Sequence, residues 1–327
     1  MEKAAKSRTR PNARKSPRNV GRSKNRVAAT KLTSRPLPDR VVLAIDERRD
    51  TIIEVIRSAR KTLLISLFRC TDVQILDAIA ESRNRGVDVR LILTPRARGW
   101  EKRLKELSAY LESMGVQVHP YSDPVVKYHA KYVVADNGPA LVASLNMTAK
   151  CFAVTCDFLL VTHDAEVVLG LQSLFETDWL APHSSFPDSI TPRLIVGPDR
   201  ARLQFTALLE GARHSIQIID HKMRDSSIEA LLKSKEAAGV NVQILETGQF
   251  GGLLPHGKLI LVDGKVAAFG SMSLSPLSLD FRREVSVIVD DARCVRKLKD
   301  FYRFLVSGGE LLEPGKAEQF LRKEEDD

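Results

Sequence analysis

The sequence predicts an α/β protein of two domains related by a pseudo-twofold axis, each a mixed β-sheet flanked by helices. Three observations lead there. The chain repeats itself at a fixed offset, each repeat alternates strand-type and helix-type segments, and one short His-x-Lys segment recurs at the equivalent point of both repeats.

An offset of 153 residues aligns 40–93 with 193–246 without a gap. Identities fall at Arg40/Arg193, Asp46/Asp199, Arg49/Arg202, Ala59/Ala212, Arg60/Arg213, Ile65/Ile218, Asp72/Asp225, Ile75/Ile228, Gly86/Gly239, Val87/Val240 and Val89/Val242. Self-similarity of this kind marks a duplication. A second offset, 127, aligns His129 with His256, Lys131 with Lys258, Asp136 with Asp263, Ser144 with Ser271 and Asp157 with Glu284. The offsets differ by 26, so the first half carries about 26 extra residues between the aligned blocks. The segment Arg98 to Met114, with Leu104, Leu107, Tyr110 and Leu111 at helical spacing, accounts for most of them; the second half has the Gly-rich stretch Thr247 to Leu254 instead.

Each repeat opens with a strand (Val41–Ile45; Leu194–Val196), a helix (Thr51–Ala59; Gln204–Ala212) and a second strand (Thr62–Phe68; Ser215–Ile219). A further helix (Val73–Arg85; Ser227–Ala238) ends at Gly86 or Gly239, where a left-handed C-cap fits, and a β-branched strand follows. After the His-x-Lys segment come another strand, a turn at Asn137-Gly138 or Asp263-Gly264, and two more strands. The domains are predicted at 40–188 and 189–310, between a tail at 1–39 and a charged C-terminal tail at 311–327.

A chain of 327 residues is long enough for two such domains, each with its own core. It has no run near the roughly 18 consecutive apolar residues of a membrane-spanning helix, and its N-terminus lacks a secretory apolar core, so a cytoplasmic protein is expected. Of 50 basic and 41 acidic residues, 13 and two lie in 1–40, which leaves 37 and 39 for the nearly neutral body. The tail is rich in Arg, Lys, Ser, Asn and Pro and is expected to be disordered. It is either an electrostatic arm for anionic lipid or nucleic acid, which would bring the protein peripherally to a membrane, or a solubilising extension. Its prolines break the amphipathic helix of a transit peptide. Cys70, Cys151, Cys156 and Cys294 form no CxxC pair, which reads as reduced thiols and argues against a zinc cluster or disulfide framework.

In Tyr128-His129-Ala130-Lys131-Tyr132-Val133-Val134, strand alternation would put His129 and Lys131 on one face, and the same holds for His256 and Lys258. An ammonium beside an imidazole disfavours charging the histidine, an arrangement that makes sense when both address a phosphate. Each segment is followed by Asp at +7, Ser at +15, a small polar residue at +17 (Asn146, Ser273) and a carboxylate at +28 (Asp157, Glu284). Correlated spacing of this kind is hard to reach by core packing alone.

These strings, HAKYVVAD…ASLN and HGKLILVD…GSMS, resemble the HxKxxxxD…GSxN signature of the phospholipase D superfamily, and the alignment of the halves extends the likeness over 40–305. The resemblance implies two phospholipase D-like domains with one active site where they face each other. It implies His129 as the nucleophile that takes the phosphoryl group and His256 as the general acid, roles that symmetry could exchange. Lys131 and Lys258 would bind the non-bridging oxygens, with Ser144, Asn146, Ser271 and Ser273 adding hydrogen bonds; Asp157 and Glu284 would orient the imidazoles. Asp136 and Asp263, at strand ends before turns, read as structural. No metal or other cofactor is implied, because lysines supply the charge that ions supply elsewhere. Ala143 stands for the Gly of the first motif and Ser273 for the Asn of the second; Asn146 against Ser273, with one helix present only in the first half, tilts the nucleophile toward His129.

The first functional reading is a metal-independent phosphodiesterase or phosphatidyltransferase on glycerophospholipids, of phospholipase D or cardiolipin synthase type. The near-neutral body, the apolar stretch Gly251 to Pro255 and the basic tail suit a membrane surface. A nuclease-type phosphodiesterase on DNA or RNA is the second, although aromatic residues are few and not interleaved with basic ones. The third is a non-catalytic anion-binding module. One chain holds both motifs, so a monomer suffices for the site. His221 and Lys222, at a strand end, could contact substrate or form a polar cluster. His119, His163, His183 and His214 are assigned no role.

Overall fold

The residues repeated between the halves mark the places where the backbone must turn or be capped. The computed structural model describes residues 37–180, 190–245, 248–313 and 315–318. The predicted basic tail lies outside these apart from 37–39, as do His183, Thr247, the junction at 188/189 and most of the predicted C-terminal tail.

The first half runs β1 (Arg40–Val42), α1 (Ile45–Ser58), β2 (Thr62–Leu67), α2 (Val73–Asn84), β3 (Asp88–Leu93), α3 (Glu101–Ser113), β4 (Gln117–Pro120), β5 (Lys127–Tyr128), β6 (Tyr132–Ala135), β7 (Ala140–Ala143), α4 (Ala149–Ala153), β8 (Thr155–Cys156), β9 (Leu159–Thr162) and α5 (Ala165–Leu180). The second runs β10 (Leu194–Val196), α6 (Ala201–Glu210), β11 (Ser215–Ile219), α7 (Ser226–Ala237), β12 (Asn241–Ile244), β13 (Leu254–Pro255), β14 (Lys258–Val262), β15 (Val266–Gly270), α8 (Pro276–Phe281), β16 (Arg282–Arg283), β17 (Val285–Val289) and α9 (Ala292–Val306).

The two large sheets have orders β1-β9-β7-β6-β2-β3-β4 and β10-β17-β15-β14-β11-β12. Strand for strand these are the same sheet, and β4, with α3 before it, is the first half's addition. Parallel pairing joins β2 to β3 and β11 to β12, and antiparallel pairing joins β2 to β6 and β11 to β14, so both sheets are mixed.

The repeated residues act in pairs. Asp72 and Asp225 cap α2 and α7 by accepting from the Ile75 and Ile228 N–H groups, each cap typically contributing about 1 kcal/mol. The same carboxylates hold Arg49 and Arg202 at 2.9 and 2.7 Å. Gly86 and Gly239 follow the helices at φ +86° and +87°, a left-handed conformation that glycine adopts without a Cβ penalty. Asp136 and Asp263 also have positive φ, 47° and 54°. The Asp136 carboxylate accepts from the N–H groups of Arg60, Lys61 and Thr62, each at 2.8 Å. Asp263 does the same for Arg213, His214 and Ser215. Each ties the end of the strand after a histidine to the start of the central strand beside it.

Alternation along the strands divides the interior into three cores. Leu63, Ile65, Leu91 and Val133 pack with α1, α2 and α3 on the outer face of the first sheet; Ile216, Ile218 and Ile260 pack with α6, α7 and α8 on the outer face of the second. The inner faces meet: Leu64, Tyr132, Val142 and Leu160 share one cluster with Leu259, Leu261, Phe269 and Val285, and α5 and α9 contribute to it. The halves therefore share a core as well as owning one each, which departs from two self-contained domains.

Other expectations shift. The apolar run Val41–Ile45 is strand only to Val42, because α1 starts at Ile45 with Asp46 and Glu47 in its first turn, where acidic side chains suit the helix dipole. The folded part begins before residue 40, since Asp39 accepts from Arg193 and Thr162. At the other end Leu312 and Ala317, inside the predicted C-terminal tail, are buried in the shared core. His129 and Lys131 do not lie within one strand: β5 ends at Tyr128, β6 begins at Tyr132, and the histidine segment crosses between them. The cause is a change of partner, because β5 pairs with β16 of the other half whereas β6 pairs within its own sheet. His256 likewise precedes β14, with β13 paired to β8 of the first half.

Replacing Asp136 by Ala removes three hydrogen bonds to a carboxylate and is expected to lower stability by about 1–3 kcal/mol, read as a lower midpoint in urea unfolding.

Candidate active site

The crossed strand pairs position everything that follows. In β5–β16, Lys127 faces Arg282 and Tyr128 faces Arg283, and the next N–H, that of His129, donates to Arg283 O at 2.9 Å. In β13–β8, Leu254 faces Thr155 and Pro255 faces Cys156, and Gly257 N–H donates to Cys156 O. The residue after Arg283 is Glu284 and the residue after Cys156 is Asp157. Parallel pairing thus sets the histidine of each half beside the carboxylate of the other: His129 Nδ1 lies 2.5 Å from Glu284 Oε1, and His256 Nδ1 lies 2.8 Å from Asp157 Oδ1. The two imidazoles retain 16% and 23% of their exposure while both carboxylates are buried, so the rings reach a cavity that their partners do not. Gly257 has no room for a side chain at this crossing, since a Cβ would lie 2.7 Å from Cys156 O.

With Nδ1 committed to a carboxylate, each Nε2 is the atom left to do chemistry. Burial, with Lys131, Arg282, Lys258 and His256 around it, holds the His129 pKa well below its ordinary value, which leaves the ring neutral. Burial also lowers His256, but Asp157 opposes the shift. Although burial works against its charge, Asp157 is held at about 2 by His256, Arg48 and Ser144, so His256 faces a permanent anion. Burial raises Glu284 instead. The pairs match in placement and differ in detail. His256 Nδ1 and Asp157 are hydrogen-bonded, whereas His129 Nδ1 and Glu284 Oε1 are close but not aligned for a hydrogen bond, and the two carboxylates shift in opposite directions.

Lys131 and Lys258 are buried beneath the histidines. Lys131 Nζ donates to His129 O at 2.8 Å, and burial pushes its pKa down to about 7 against the pull of Glu284. Asn146 lines the cavity, and its buried Oδ1 has no protein partner.

The three serines predicted to bind phosphate are turned elsewhere. Ser144 donates to Asp157 Oδ1 at 2.6 Å, Ser271 to Val285 O, and Ser273 to both oxygens of Asp220, and all three are buried. Each sits at the end of a strand inside the sheet, where the nearest acceptor is protein. Ser144 acts through Asp157, which Thr155 also holds at 2.5 Å; Ser278 hydrogen-bonds Glu284. The Gly-to-Ala difference has a steric reason: a Cβ on Gly270 would lie 2.3 Å from Val285 O, whereas Ala143 is accommodated in β7.

Residues invisible to the sequence comparison complete the site. Arg48 is fully buried and donates to the carbonyls of Leu43, Cys151, Thr155 and Asp157, fixing the loop that carries Asp157. Its repeat equivalent is Ala201, so the duplication offered no signal. Arg283 is buried against Asp178 at 3.0 Å and Asp199 at 2.7 Å, which anchors the strand that meets His129. Arg282 lines the cavity 3.6 Å from Glu284. Lys222, flagged at a strand end, lines it as well; His221 does not, and its buried Nδ1 is unpartnered.

The cavity measures about 1000 Å³. Arg69, Arg96, Arg98, Lys127, Lys222 and Arg282 face Asp123 as the one carboxylate in its lining, so it favours an anion. Cys151, Asp157 and His256 bring ligand-type atoms within 4.8 Å of one another. Asp157 is already saturated by His256, Ser144 and Thr155, and burial pushes the Cys151 thiol up to about 11, so these donors share protons and are poorly disposed to hold a metal ion.

Because the folded pKa of Asp157 is depressed, the stability it contributes is present above its unfolded pKa of about 4 and is lost as pH falls through about 2. The unfolding free-energy difference between wild type and Asp157→Asn, measured by urea titration, is expected to be largest near neutrality and to shrink below pH 4.

Known proteins resemble this chain in sequence and in fold. A sequence profile described as "Cardiolipin synthase, PLD-like domain" matches residues 52–179 and 193–304. The probable cardiolipin synthase YwiE of Bacillus subtilis (strain 168) is 24% identical over 165 residues, 50% of this chain and 32% of that protein. Cardiolipin synthase 2 of Bacillus anthracis is 24% identical over 332 aligned positions, covering 81% of this chain and 64% of that protein. The chain thus spans from about a third to under two thirds of these curated relatives. Among solved structures, phosphatidylserine synthase of Haemophilus influenzae Rd KW20 superposes with a TM-score of 0.64 at 13% identity, over 87% of this chain and 92% of that one. The polyphosphate kinase of Porphyromonas gingivalis gives a TM-score of 0.68 at 17% identity, over 88% of this chain and 53% of that one. At these identities the likeness is one of fold. With the profile covering both halves and both His-x-Lys segments converging on one cavity, the chain belongs to the phospholipase D superfamily, in the family of cardiolipin synthase PLD-like domains.

Proposed function

We propose that the protein cleaves or exchanges phosphodiester bonds of glycerophospholipids through a covalent phosphohistidine, without a metal ion. The observation that carries this is the crossed pair of histidine–carboxylate contacts opening on a cationic cavity. Neutral His129, its Nδ1 side turned to Glu284 at 2.5 Å, would attack phosphorus through Nε2. His256 would protonate the leaving alkoxide as the P–O bond breaks, giving phosphohistidine and a free alcohol. The same His256, now neutral, would take the proton of water or an acceptor alcohol as it attacks phosphorus, and His129 leaves unchanged. Lys131 and Lys258 would stabilise charge on the non-bridging oxygens. The stronger anion beside His256 supports its role as acid, and the neutral His129 supports its role as nucleophile.

The family supports a lipid substrate, since the curated relatives are named as cardiolipin synthases. The cavity wall supports it too: Pro95, Ala97, Pro124 and Val125 accompany the cations, and Val125 is 63% exposed. Apolar surface beside cationic groups suits a headgroup attached to acyl chains. No helix among the described residues is long and apolar enough to cross a membrane.

Incubation with vesicles of phosphatidylglycerol or phosphatidylcholine, and with single- and double-stranded DNA, with EDTA present, is expected to release or transfer headgroup from lipid alone. Acid-labile phosphate should be trapped on His129 and be absent from His129→Asn. Loss of turnover in EDTA removes the metal-free mechanism, and turnover of DNA alone removes the lipid assignment. The pH dependence of kcat/KM reports the free enzyme. His129 is protonated only well below pH 6.5, which sets the acid limb. The His256 proton that the acid step needs is lost below pH 6.5, because burial lowers that pKa too, so activity should begin to fall there, and a second alkaline limb follows as Lys131 loses its charge through about 7. Lys131→Arg is expected to move that alkaline limb upward.

A further inference from the structure

Arg69 is an arginine with donors to spare. Arg48, Arg49, Arg90, Arg193, Arg202 and Arg283, all at least partly buried, are each hydrogen-bonded to carboxylates or carbonyls. Arg69, also partly buried, is held by rings instead. Its Cζ lies 5.0 Å from the centroid of Phe68 and 4.7 Å from that of Trp100, and its buried Nε has no acceptor. No carboxylate among the described residues lies within ion-pair distance of it. Its backbone is fixed as well: Arg69 O accepts from Met147 N–H, directly after Asn146 in the cavity wall. The two rings hold the guanidinium while its Nη groups donate to no described residue, and an arginine so placed can bind phosphate with two parallel hydrogen bonds. A partly buried cation without a counter-ion is costly unless a ligand supplies one.

The position bears on the chemistry. The Phe68 ring stands edge-on to His129 at 4.4 Å, so a single aromatic ring separates this guanidinium from the imidazole. Trp100, with Arg96 and Arg98 lining the cavity before it, belongs to the extra segment of the first half. The repeat equivalent of Arg69 is Lys222, but His221 stands where Phe68 would be. The clamp therefore exists on one side only.

We propose that Arg69, clamped between Phe68 and Trp100, forms a subsite for a second phosphate-type anion, distinct from the phosphodiester addressed by His129 and His256. It deepens the phosphatidyl-transfer reading and rests on it. The second anion belongs either to the lipid donor or to the acceptor alcohol.

Two arms separate these sources. On the donor arm, hydrolysis of cardiolipin, with two phosphates, is compared with that of phosphatidylcholine. On the acceptor arm, transfer from phosphatidylcholine to glycerol 3-phosphate is compared with transfer to glycerol. Arg69→Gln is expected to lower the preference for the phosphate-rich partner about tenfold on one arm, the worth of a charge-assisted hydrogen bond, and Arg69→Lys to lower it less. Binding is measured separately, so that a wrong assignment of the reaction does not decide the matter. In a Trp179→Phe background, Trp100 emission should respond to glycerol 3-phosphate, with affinity about tenfold weaker once Arg69→Gln is added. Equal titrations in the two proteins, or preferences unchanged on both arms, overturn the proposal. So does an equal fall for both partners of each pair, which would mark Arg69 as a support for the histidines.

Discussion

The imidazoles of His129 and His256 each lie against a carboxylate from the opposite half. Two very short parallel strand pairs, β5–β16 and β13–β8, bring this about, and the rest of the architecture can be understood as what holds them in register. The shared apolar core presses the inner sheet faces together, Arg48 fixes the loop bearing Asp157, and Arg283 with Asp178 and Asp199 fixes the strand bearing Glu284. A displacement of one strand by a single residue would part both a histidine and its carboxylate. Burying Arg48 and Arg283 is expensive, and the cost is offset through their Nη groups, which donate to four carbonyls at Arg48 and to Gly197 O and Asp199 at Arg283.

Much of this was legible in the sequence because duplication doubles every signal. The succession of strands and helices, the glycine caps and the residues of the Arg49–Asp72 and Arg202–Asp225 pairs are all traceable to residues that recur at one offset. The approach of His129 to His256 was legible for the same reason. What offset matching cannot carry is a residue present once. Arg48 faces Ala201 in the alignment, and Arg69 is clamped by a tryptophan from a segment without an equivalent. The crossing of the carboxylates was also hidden: the spacing between His129 and Asp157 suggests a partnership within one half, whereas the strand pairs exchange them. The orientation of the serines was not legible, because a motif lists residue types and says nothing of which way a hydroxyl turns.

Similarity of sequence does not make the two centres electrically equal. Asp157 is hydrogen-bonded by two hydroxyls and a histidine and lies near Arg48, which favours its ionised form against burial; Glu284 is equally buried but has one hydroxyl partner, and there burial dominates. A duplicated scaffold thus yields two carboxylates whose pKa values shift in opposite directions from nearly the same backbone. The same asymmetry recurs at the rim, where an arginine between two rings stands opposite a lysine with neither.

The strand exchange also bears on ancestry. A lone half carries a histidine whose carboxylate resides elsewhere, and an inner sheet face with nothing to cover it. Such a chain could complete its chemistry only by self-association about a twofold axis, each copy lending its acidic residue to its neighbour. Fusion into one polypeptide would then have freed the copies to diverge, which a symmetric homodimer, bound to change both sites at once, could not do.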